Sequence, residues 1–459
     1  MVSYQGTRVL ILGAARQGLA LARFLSQKGA IVTLNDIQPR EKLLSSIQSL
    51  SGTGVNWVLG EHPVSLLETA DVVCISGGVP LTLPIVAEAL KSGIRVTNDS
   101  QIFMGAVKAP VIGITGSAGK TTTTSLIGKI AAAAVKSPRV SWVGGNIGNP
   151  LIEFVDQVKS EDLVILELSS FQLELMTTSP QIAVVFNIIP NHLDRHAGMD
   201  AYIQAKSRIL DFQQPQDIAI LNHEDPGSWN LRSIVKGSLV TYGIQELDTD
   251  TPQVFVRGGE VIHKAAGVET HLLQRSAIQL RGDHNLSNVL AACAIAAVLH
   301  FDPAAITAAV SEFRGVKHRF EVVREVRGIT WINDSIATAP ERTLAALRSF
   351  DEPVILLLGG RDKNLPWDDL SKVIHQRVDH VVIFGEAAGK IQQAIGVPLP
   401  DSRLGSVAGF TTMQEALEQA VKLAKPGDVV LLSPGCTSYD AFKDFEERGN
   451  TFIEWVNRL

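Results

Sequence analysis

Short apolar runs alternate with amphipathic segments along most of the chain. The first run, Arg8–Leu12, precedes Gly13 and a segment at 17–28 with helical apolar spacing, which predicts a strand followed by a helix. Continuously apolar strands that alternate with helices are typical of a parallel sheet covered on both faces. The further predicted strands are 31–34, 71–76, 94–97, 111–115, 163–168, 182–187, 329–332, 354–358, 380–384 and 428–432.

Two segments depart from this pattern. Residues 250–280 carry glycine pairs and short alternating stretches, which predict a small antiparallel patch. The alanine-rich stretch 285–299 predicts a helix. We place domain boundaries so that the α/β domains comprise 1–108, 109–316 and 317–459, and the length of 459 residues agrees with about three domains.

Composition excludes several classes of protein. Hydrophobic residues make up 45% and charged residues 19% of the chain, which excludes general disorder. A net charge of −6 argues against a nucleic-acid binder. Cys74, Cys293 and Cys436 lie far apart, which excludes a disulfide scaffold and a structural zinc site. With no signal-peptide pattern and no apolar run of membrane-spanning length, we expect a cytoplasmic protein with no membrane insertion.

The segment ITGSAGKTT at 114–122 resembles a phosphate-binding loop between a strand and a helix. Its glycines let backbone amides approach phosphate, and the helix adds its positive end. Lys120 would reach the β- and γ-phosphates, and the Thr121 hydroxyl would bind magnesium. Ile114 replaces the first glycine of the usual motif, and the alternative is a plain turn with an exposed lysine. The predicted ATP-binding residues here are Gly116, Ser117, Ala118, Gly119, Lys120, Thr121 and Thr122.

The first strand-to-helix turn, at 13–18, resembles the dinucleotide motif GxGxxG, with Ala15 in place of the second glycine. Asp36 ends the second predicted strand, where an acidic residue can bind a ribose hydroxyl. These features suggest a nucleotide-containing ligand in the first domain. The alternative is a tight turn next to a strand-end carboxylate.

A series of short strings in one order extends over essentially the whole chain. They are GGNIG (144–148), ELSSFQL (167–173), NHLDRH (191–196), 202–206, GDHN (282–285), HRFE (318–321), NDS (333–335), LSPG (432–435) and FKDFEERG (442–449). This series resembles the Mur ligase family, ATP-dependent amide-forming enzymes of peptidoglycan precursor synthesis. Within that family it is most similar to the members that add D-glutamate.

The resemblance implies a three-domain α/β architecture, in which Rossmann-like N- and C-terminal domains flank a P-loop ATPase-like central domain. The first domain would hold a UDP-sugar, the second ATP, and the third would close over both with the amino acid. The implied ligase joins D-glutamate to UDP-N-acetylmuramoyl-L-alanine through an acyl phosphate and a tetrahedral intermediate, releasing ADP and phosphate. The implied partners are these small molecules and no nucleic acid, and we expect a monomer.

The resemblance also implies roles for catalytic residues. Lys120 would act on the phosphates, and Asn146 would contact the acyl region and steady the γ-phosphate. Thr121, Glu167, His192 and Lys206 would hold magnesium, with two ions in the site. Lys206 would be carbamylated by carbon dioxide, because an ammonium would repel the metal. Without the resemblance, Glu167 would be interpreted as a strand-end carboxylate, His192 as a structural histidine and Lys206 as a solvated helix lysine.

Substrate-binding residues follow from the same resemblance. Asn285 and Asn288 would lie near the adenine, and Arg319 and Asp334 would contact the phosphates and ribose of the nucleotide. The alternative for Asn285 is a helix N-cap. The alternative for Arg319 and Asp334 is that they are charged surface residues. The implied UDP-sugar-binding residues are Ala15, Arg16, Asp36 and Gly77.

The amino acid would be recognised by the third domain. Lys363 would pair with the α-carboxylate of D-glutamate beside Thr338, while Ser438 and the backbone near Phe445 would meet the side-chain carboxylate. The chain lacks the DNPR string of the diaminopimelate-adding relatives. It also has Ile336 and Ala339 where many D-glutamate-adding relatives have lysine and asparagine. Either Lys363 alone or another basic residue such as Arg361 would then supply the cation.

Other functions remain open on the sequence. An L-glutamate ligase or a folylpoly-γ-glutamate synthase would share the superfamily. A P-loop motor or switch would also have a lysine such as Lys120 in its phosphate loop, but it would not account for the matching segments from HRFE (318–321) onward. An NAD-dependent dehydrogenase would leave the second phosphate loop unexplained, and a non-catalytic regulator would be expected to lack Lys120, Glu167, His192 or Lys206.

Overall fold

A computed structural model of the chain describes residues 3–148, 150–190, 195–196, 198–280 and 282–459. The chain divides into two compact units, Met1–Phe313 and Arg314–Leu459. The first unit contains two separate sheets and the second contains one. In the described parts of the chain, no helix is long and apolar enough to cross a membrane.

The N-terminal sheet is parallel throughout. Its strands are β1 (Arg8–Leu12), β2 (Ile31–Asp36), β3 (Asn56–Leu59), β4 (Val72–Ile75) and β5 (Arg95–Thr97), and its helices are α1 (Arg16–Gln27), α2 (Leu44–Ser49), α3 (Pro84–Lys91) and α4 (Asp99–Ala106). The strand order is β3–β2–β1–β4–β5. The order reverses at β1, and ligands of open parallel sheets bind beyond the carboxyl ends of strands at such a point.

The central sheet is the largest of the molecule. Its strands are β6 (Val111–Thr115), β7 (Ser141–Gly145), β8 (Leu163–Glu167), β9 (Ile182–Val185), β10 (Ile218–Asn222), β11 (Ser238–Tyr242), β12 (Gln253–Arg257), β13 (Glu260–Ala265) and β14 (Val268–Gln274). The order is β14–β13–β12–β11–β10–β9–β6–β8–β7. The predicted antiparallel patch is confirmed at β12–β14, and it extends this sheet because β12 pairs in parallel with β11.

Helices cover the central sheet and carry several of the predicted site residues. They are α5 (Lys120–Ala134), α6 (Ser170–Leu173), α7 (Met199–Asp211), α8 (Pro226–Trp229), α9 (Asp283–Val298) and α10 (Pro303–Glu312). The predicted alanine-rich helix is α9, which is buried along most of its length in one core cluster with α5. Its small side chains allow the close approach that places Asn288 against the phosphate loop.

The second unit is a further parallel sheet with one antiparallel edge. Its strands are β15 (Glu321–Val326), β16 (Ile329–Asn333), β17 (Val354–Gly359), β18 (Val378–Phe384), β19 (Ser406–Phe410) and β20 (Val429–Gly435), and its helices are α11 (Pro340–Leu347), α12 (Asp368–Arg377), α13 (Ala388–Ile395), α14 (Met413–Leu423) and α15 (Phe445–Val456). The order is β15–β16–β20–β17–β18–β19, so the last strand lies between β16 and β17. Loops that follow β16, β17 and β20 therefore meet at one end of this sheet.

Candidate active site

The phosphate loop connects β6 to α5 and requires glycine at two positions. Gly116 has φ +157° and Gly119 has φ +84°. A Cβ on Gly119 would lie 2.1 Å from Oδ1 of Asn288. Any side chain at Gly119 would therefore displace Asn288 and strain the backbone that begins the helix.

Two amides of this loop are bound by a residue of the neighbouring strand end. The amides of Ser117 and Ala118 donate to Oδ1 of Asn187 at 3.0 and 2.9 Å. The amides that follow, Lys120–Thr122, lie in the first turn of α5, where a helix offers them no acceptor. That turn holds no acidic residue, so the helix end suits an anion there. No role for Asn187 was predicted from the sequence, although it lies just before the NHLDRH segment (191–196).

Two lysines converge on one carbonyl of the loop. Nζ of Lys120 and Nζ of Lys206 each lie 2.8 Å from the carbonyl oxygen of Gly116. Lys206 is buried on α7, with 1% of its surface exposed. Burial lowers the pKa of Lys206 well below its usual value, the charge of Lys120 adds to this, and Glu167 partly opposes it. The surroundings therefore favour the uncharged amine.

Glu167 ends β8 with its carboxylate buried beside Asn146. Nδ2 of Asn146 donates to Oε1 of Glu167 at 3.0 Å. The other oxygen, Oε2, is buried and has no hydrogen-bond partner among the described residues. An unpaired buried carboxylate oxygen is costly, and a cation would relieve that cost. In the described chain no group of three His, Cys, Asp or Glu could hold a metal by itself.

Tyr202 connects the lysine helix to the phosphate loop. Its hydroxyl donates to Oγ of Ser117 at 3.0 Å, and Nζ of Lys206 lies 4.7 Å from the centre of its ring. Tyr202 and Lys206 are four residues apart and therefore share one face of α7. Sequence reasoning gave Tyr202 no role, although this spacing was the available signal.

His192, a predicted catalytic and metal-binding residue, lies outside the described residues. The nearby His196 is buried, with Nε2 3.0 Å from Oγ of Ser170 and Nδ1 2.9 Å from Oε1 of Glu174. His196 and Glu174 border a cavity of about 240 Å³ that Gly77, two residues after β4, also lines. The predicted UDP-sugar residue Gly77 thus lies at a cavity between the two sheets of the first unit.

The other predicted UDP-sugar residues lie at the first turn. Both carboxylate oxygens of Asp36 accept backbone amides, from Ala14 at 2.7 Å and from Gln38 at 2.8 Å. This carboxylate therefore holds the first turn to the end of β2. Ala15 and Arg16 are exposed at the start of α1, and neither a capping side chain nor an acidic residue covers that helix end.

The predicted adenine-binding residues lie side by side on α9. Nδ2 of Asn288 donates to Oδ1 of Asn285 at 3.3 Å. The Thr123 hydroxyl donates to the carbonyl oxygen of Asn288 at 3.1 Å, which ties α9 to α5. Gly282 occupies the cap position of α9, so Asn285 is not its cap.

In the second unit, the predicted nucleotide contacts Arg319 and Asp334 are electrostatic neighbours. Asp334 is buried and accepts the Ser433 hydroxyl at 2.9 Å. Burial raises the pKa of Asp334 to about 7, which the charges of Arg319 and Arg342 partly oppose.

The structure brings two of the predicted amino-acid-binding side chains together. Nζ of Lys363 lies 3.3 Å from the Thr338 hydroxyl. Ser438 is buried, and the carbonyl oxygen of Phe445 accepts the Ser335 hydroxyl at 2.8 Å.

Arg448 is a site residue to which sequence reasoning gave no role. Its guanidinium is fully buried and donates to the carbonyl oxygen of Ser335 at 2.8 Å, of Cys436 at 3.2 Å and of Gly359 at 3.3 Å. Burial lowers its pKa to about 10. Arg448 thereby ties the ends of β17 and β20 to the loop after β16, around the predicted amino-acid site. The only sequence feature that pointed to Arg448 was its position in the FKDFEERG segment (442–449).

Family models match three successive parts of the chain. The family model described as Mur ligase MurD-like, N-terminal domain, matches residues 7–98. The Mur ligase middle domain matches residues 114–296, and the Mur ligase glutamate ligase domain matches residues 318–436.

Full-length relatives carry one name. The UDP-N-acetylmuramoylalanine–D-glutamate ligase of Symbiobacterium thermophilum is 40% identical over 456 residues, covering 98% of each chain. The protein of the same name from Pelotomaculum thermopropionicum is 38% identical over 453 residues, again covering 98% of each.

Solved structures agree on the fold. UDP-N-acetylmuramate-alanine ligase MurC from Thermotoga maritima is 19% identical, with a TM-score of 0.56 over 98% of this chain and 99% of that chain. MurF ligase from Thermotoga maritima in complex with ADP is 17% identical, with a TM-score of 0.53 over 99% of this chain and 96% of that one. Family models that match most of the chain in order, together with full-length relatives at this identity, show that the chain belongs to the Mur ligase family.

Proposed function

We propose that this protein is an ATP-dependent ligase that joins D-glutamate to UDP-N-acetylmuramoyl-L-alanine and releases ADP and phosphate, a step of peptidoglycan precursor synthesis. One observation supports it most directly: Lys120, Lys206 and the unpaired oxygen of Glu167 meet at the phosphate loop of a Mur ligase fold. The name that the full-length relatives share supports the choice of substrates. The proposed domains are 1–108 for the UDP-sugar, 109–316 for ATP and 317–459 for the amino acid.

The reaction needs activation because joining a carboxylate to an amine is unfavourable in water. In the proposed reaction a carboxylate oxygen of the UDP-sugar peptide attacks the γ-phosphorus of ATP, and ADP leaves. The amine of D-glutamate then attacks the acyl carbon and loses a proton to solvent, and phosphate leaves from the tetrahedral intermediate. Lys120 and the amides at the start of α5 would neutralise the charge that develops on the phosphates, while Asn146 would orient the acyl group. We propose that the ligase acts as a monomer.

Magnesium is the metal that this fold family implies, and the residues present fit it. Oε2 of Glu167 is a buried, unpaired oxygen donor, and the Thr121 hydroxyl follows Lys120 at the start of α5. We propose these two as ligands, with His192 and a carbamylated Lys206 serving a second ion. Bound magnesium would neutralise phosphate charge.

Carbamylation of Lys206 is supported by its surroundings. The side chain is buried and its hydrogen-bond acceptor is a neutral carbonyl, which favours the uncharged amine. Such an amine can attack the carbon of carbon dioxide and lose a proton as the N–C bond forms. The product is an anionic oxygen donor where an ammonium stood.

Recognition of D-glutamate is proposed for the second unit. Lys363 and Thr338 would bind the α-carboxylate, and Ser438 with the backbone at Phe445 would bind the side-chain carboxylate. Arg448 would hold the loops that carry them. In the first unit Ala15, Arg16, Asp36 and Gly77 would bind the UDP-sugar.

Phosphate release from ATP tests the proposal. The purified chain would be given UDP-N-acetylmuramoyl-L-alanine and either D-glutamate, L-glutamate, L-lysine or diaminopimelate. We expect release with D-glutamate and a product heavier by one glutamyl residue. Release with L-lysine and none with D-glutamate would overturn the substrate, and no release with any amino acid would overturn the reaction.

A further inference from the structure

The loop after β16 has lost a cation at Ile336, yet a nearby arginine reaches the same backbone. Nη1 of Arg342, the third residue of α11, lies 3.3 Å from the carbonyl oxygen of Ile336. That carbonyl also accepts the amide of Thr338 at 2.8 Å. The hydroxyl of Thr338 in turn lies 3.3 Å from Nζ of Lys363. Arg342 is therefore attached to the loop that carries the proposed amino-acid site.

Arg361, the other basic residue near Lys363, is already neutralised. Its Nε lies 2.9 Å from Oε2 of Glu386, a carboxylate. Arg342, by contrast, has no carboxylate partner among the described residues of its unit, and its recorded acceptor is a neutral carbonyl. Its charge is felt by the buried Asp334, two residues before Ile336. Of these two arginines, only Arg342 contacts the loop at Ile336, and only Arg361 has a carboxylate partner among the described residues.

We propose that Arg342 is a specificity-determining residue that binds a carboxylate of the incoming dicarboxylic amino acid and supplies the cation absent at Ile336. This inference rests on the proposed function. A guanidinium presents two parallel N–H donors that match a carboxylate, and one hydrogen bond to the Ile336 carbonyl leaves other donors of the fork for the ligand. Lys363 contacts this loop at the Thr338 hydroxyl and Arg342 contacts it at the Ile336 carbonyl, so the two cations would account for a substrate with two negative groups.

Steady-state kinetics of the full chain with ATP, UDP-N-acetylmuramoyl-L-alanine and varied D-glutamate tests the proposal. We expect Arg342→Ala to raise KM for D-glutamate by about 10-fold or more, because a charge-assisted bidentate contact is lost. We expect KM for ATP to stay within about 2-fold, since the contact is to the amino acid. Adding Ile336→Lys to Arg342→Ala returns a cation to the loop and should recover much of the loss.

Two matched arginine variants serve as controls. Arg348→Ala removes an exposed arginine just after α11, and Arg361→Ala removes the paired one. Arg348→Ala should leave KM for D-glutamate unchanged, and Arg361→Ala, the competing candidate, should raise it less than Arg342→Ala does. The proposal is overturned if Arg342→Ala leaves that KM unchanged, if Arg361→Ala produces the larger rise, or if KM for ATP rises in its place.

Failure of this inference is separate from failure of the proposed function. If the wild-type chain releases no phosphate with D-glutamate, the proposed function is wrong. If the wild-type chain is active and Arg342→Ala is indistinguishable from it, only the role of Arg342 is wrong. Arg342 is exposed, and thermal denaturation of each variant will show that the fold is retained.

Discussion

Lys120 and Lys206 donate to the same acceptor, the carbonyl oxygen of Gly116, with each Nζ at 2.8 Å. Two ammonium groups this close repel each other, and only one of them is at the edge of the loop where phosphate would bind. Burial lowers the pKa of Lys206 well below its usual value, and the charge of Lys120 adds to this. In the proposed mechanism Lys120 binds phosphate, and Lys206 is the amine that carbon dioxide modifies.

Replacing Lys206 with arginine keeps a cation but removes the amine that would react with carbon dioxide. We expect Lys206→Arg to lower kcat by about 100-fold or more, the scale of losing a charged group that acts on the transition state. Carbon-13 NMR of the wild-type chain in labelled bicarbonate should show a carbamate signal that this variant lacks. Full activity of the variant without added bicarbonate would remove carbamylation from the mechanism.

Replacing Glu167 with glutamine keeps its shape and removes its charge. We expect kcat to fall by about 10²–10³-fold, because in the proposed mechanism this charge would hold the metal that neutralises the phosphates. The melting temperature should stay equal or rise, since a buried carboxylate with an unpaired oxygen is costly in the fold. The exposed Glu161→Gln is the matched control, with unchanged kcat and stability. A parallel loss of stability and activity in Glu167→Gln would indicate a structural role.

Replacing Arg448 with alanine leaves buried carbonyls without donors. We expect the free energy of unfolding of the second unit to fall by about 2–5 kcal/mol. Arg448→Lys keeps the charge but not the planar guanidinium. This variant should lower the free energy of unfolding by less than Arg448→Ala does, and it should still raise KM for D-glutamate. Arg458→Ala, on an exposed residue just beyond α15, should change neither value. Thermal denaturation measures the loss of stability, and steady-state kinetics measure KM for D-glutamate. An Arg448→Ala variant with wild-type stability and wild-type KM would contradict the prediction.

Asp99 gives the first unit a pH dependence. It is buried at the start of α4, and burial raises its pKa to about 6. The folded state therefore holds the proton more tightly than the unfolded state, so stability is fully present below about pH 4 and declines until about pH 6, by about 3 kcal/mol. Asp99→Asn should be more stable than the wild type above pH 6 and nearly equal to it near pH 4.

Thermal denaturation at several pH values measures this difference between Asp99→Asn and the wild type. The exposed Asp250→Asn is the control, and its difference from the wild type should not change with pH. An Asp99→Asn curve parallel to that of the wild type would contradict the assignment.

The strands that were predicted are buried and continuously apolar, although β10, which is also buried and apolar, was missed. Each predicted strand is present, with ends within three residues of the prediction, because burial on both faces leaves a local apolar run. Edge strands such as β3, β7, β15 and β19 gave no such signal, because much of their surface is exposed or half-exposed. The phosphate loop could also be predicted, since its glycines and lysine are consecutive.

Contacts between distant parts of the chain could not be predicted in this way. Lys206 meets Gly116 across 90 positions, and Arg448 meets Ser335 across 113. Nothing in the local pattern of either residue distinguishes it from a solvated side chain on a helix. Their burial depends on which sheet their helix packs against.

By itself the sequence determined the strands and helices, the glycine turns and the order of matching strings, because each depends on residues that are neighbours in the chain. The tertiary structure decided which polar side chains lie close together. It brings Lys120 and Lys206 to the Gly116 carbonyl and leaves one oxygen of Glu167 unpaired. It also brings Arg448 to the Ser335 carbonyl and Arg342 to the Ile336 carbonyl. The reason is physical. Burial and Coulomb interactions depend on distance in space, and these distances exist only once the strand order brings the strand ends together.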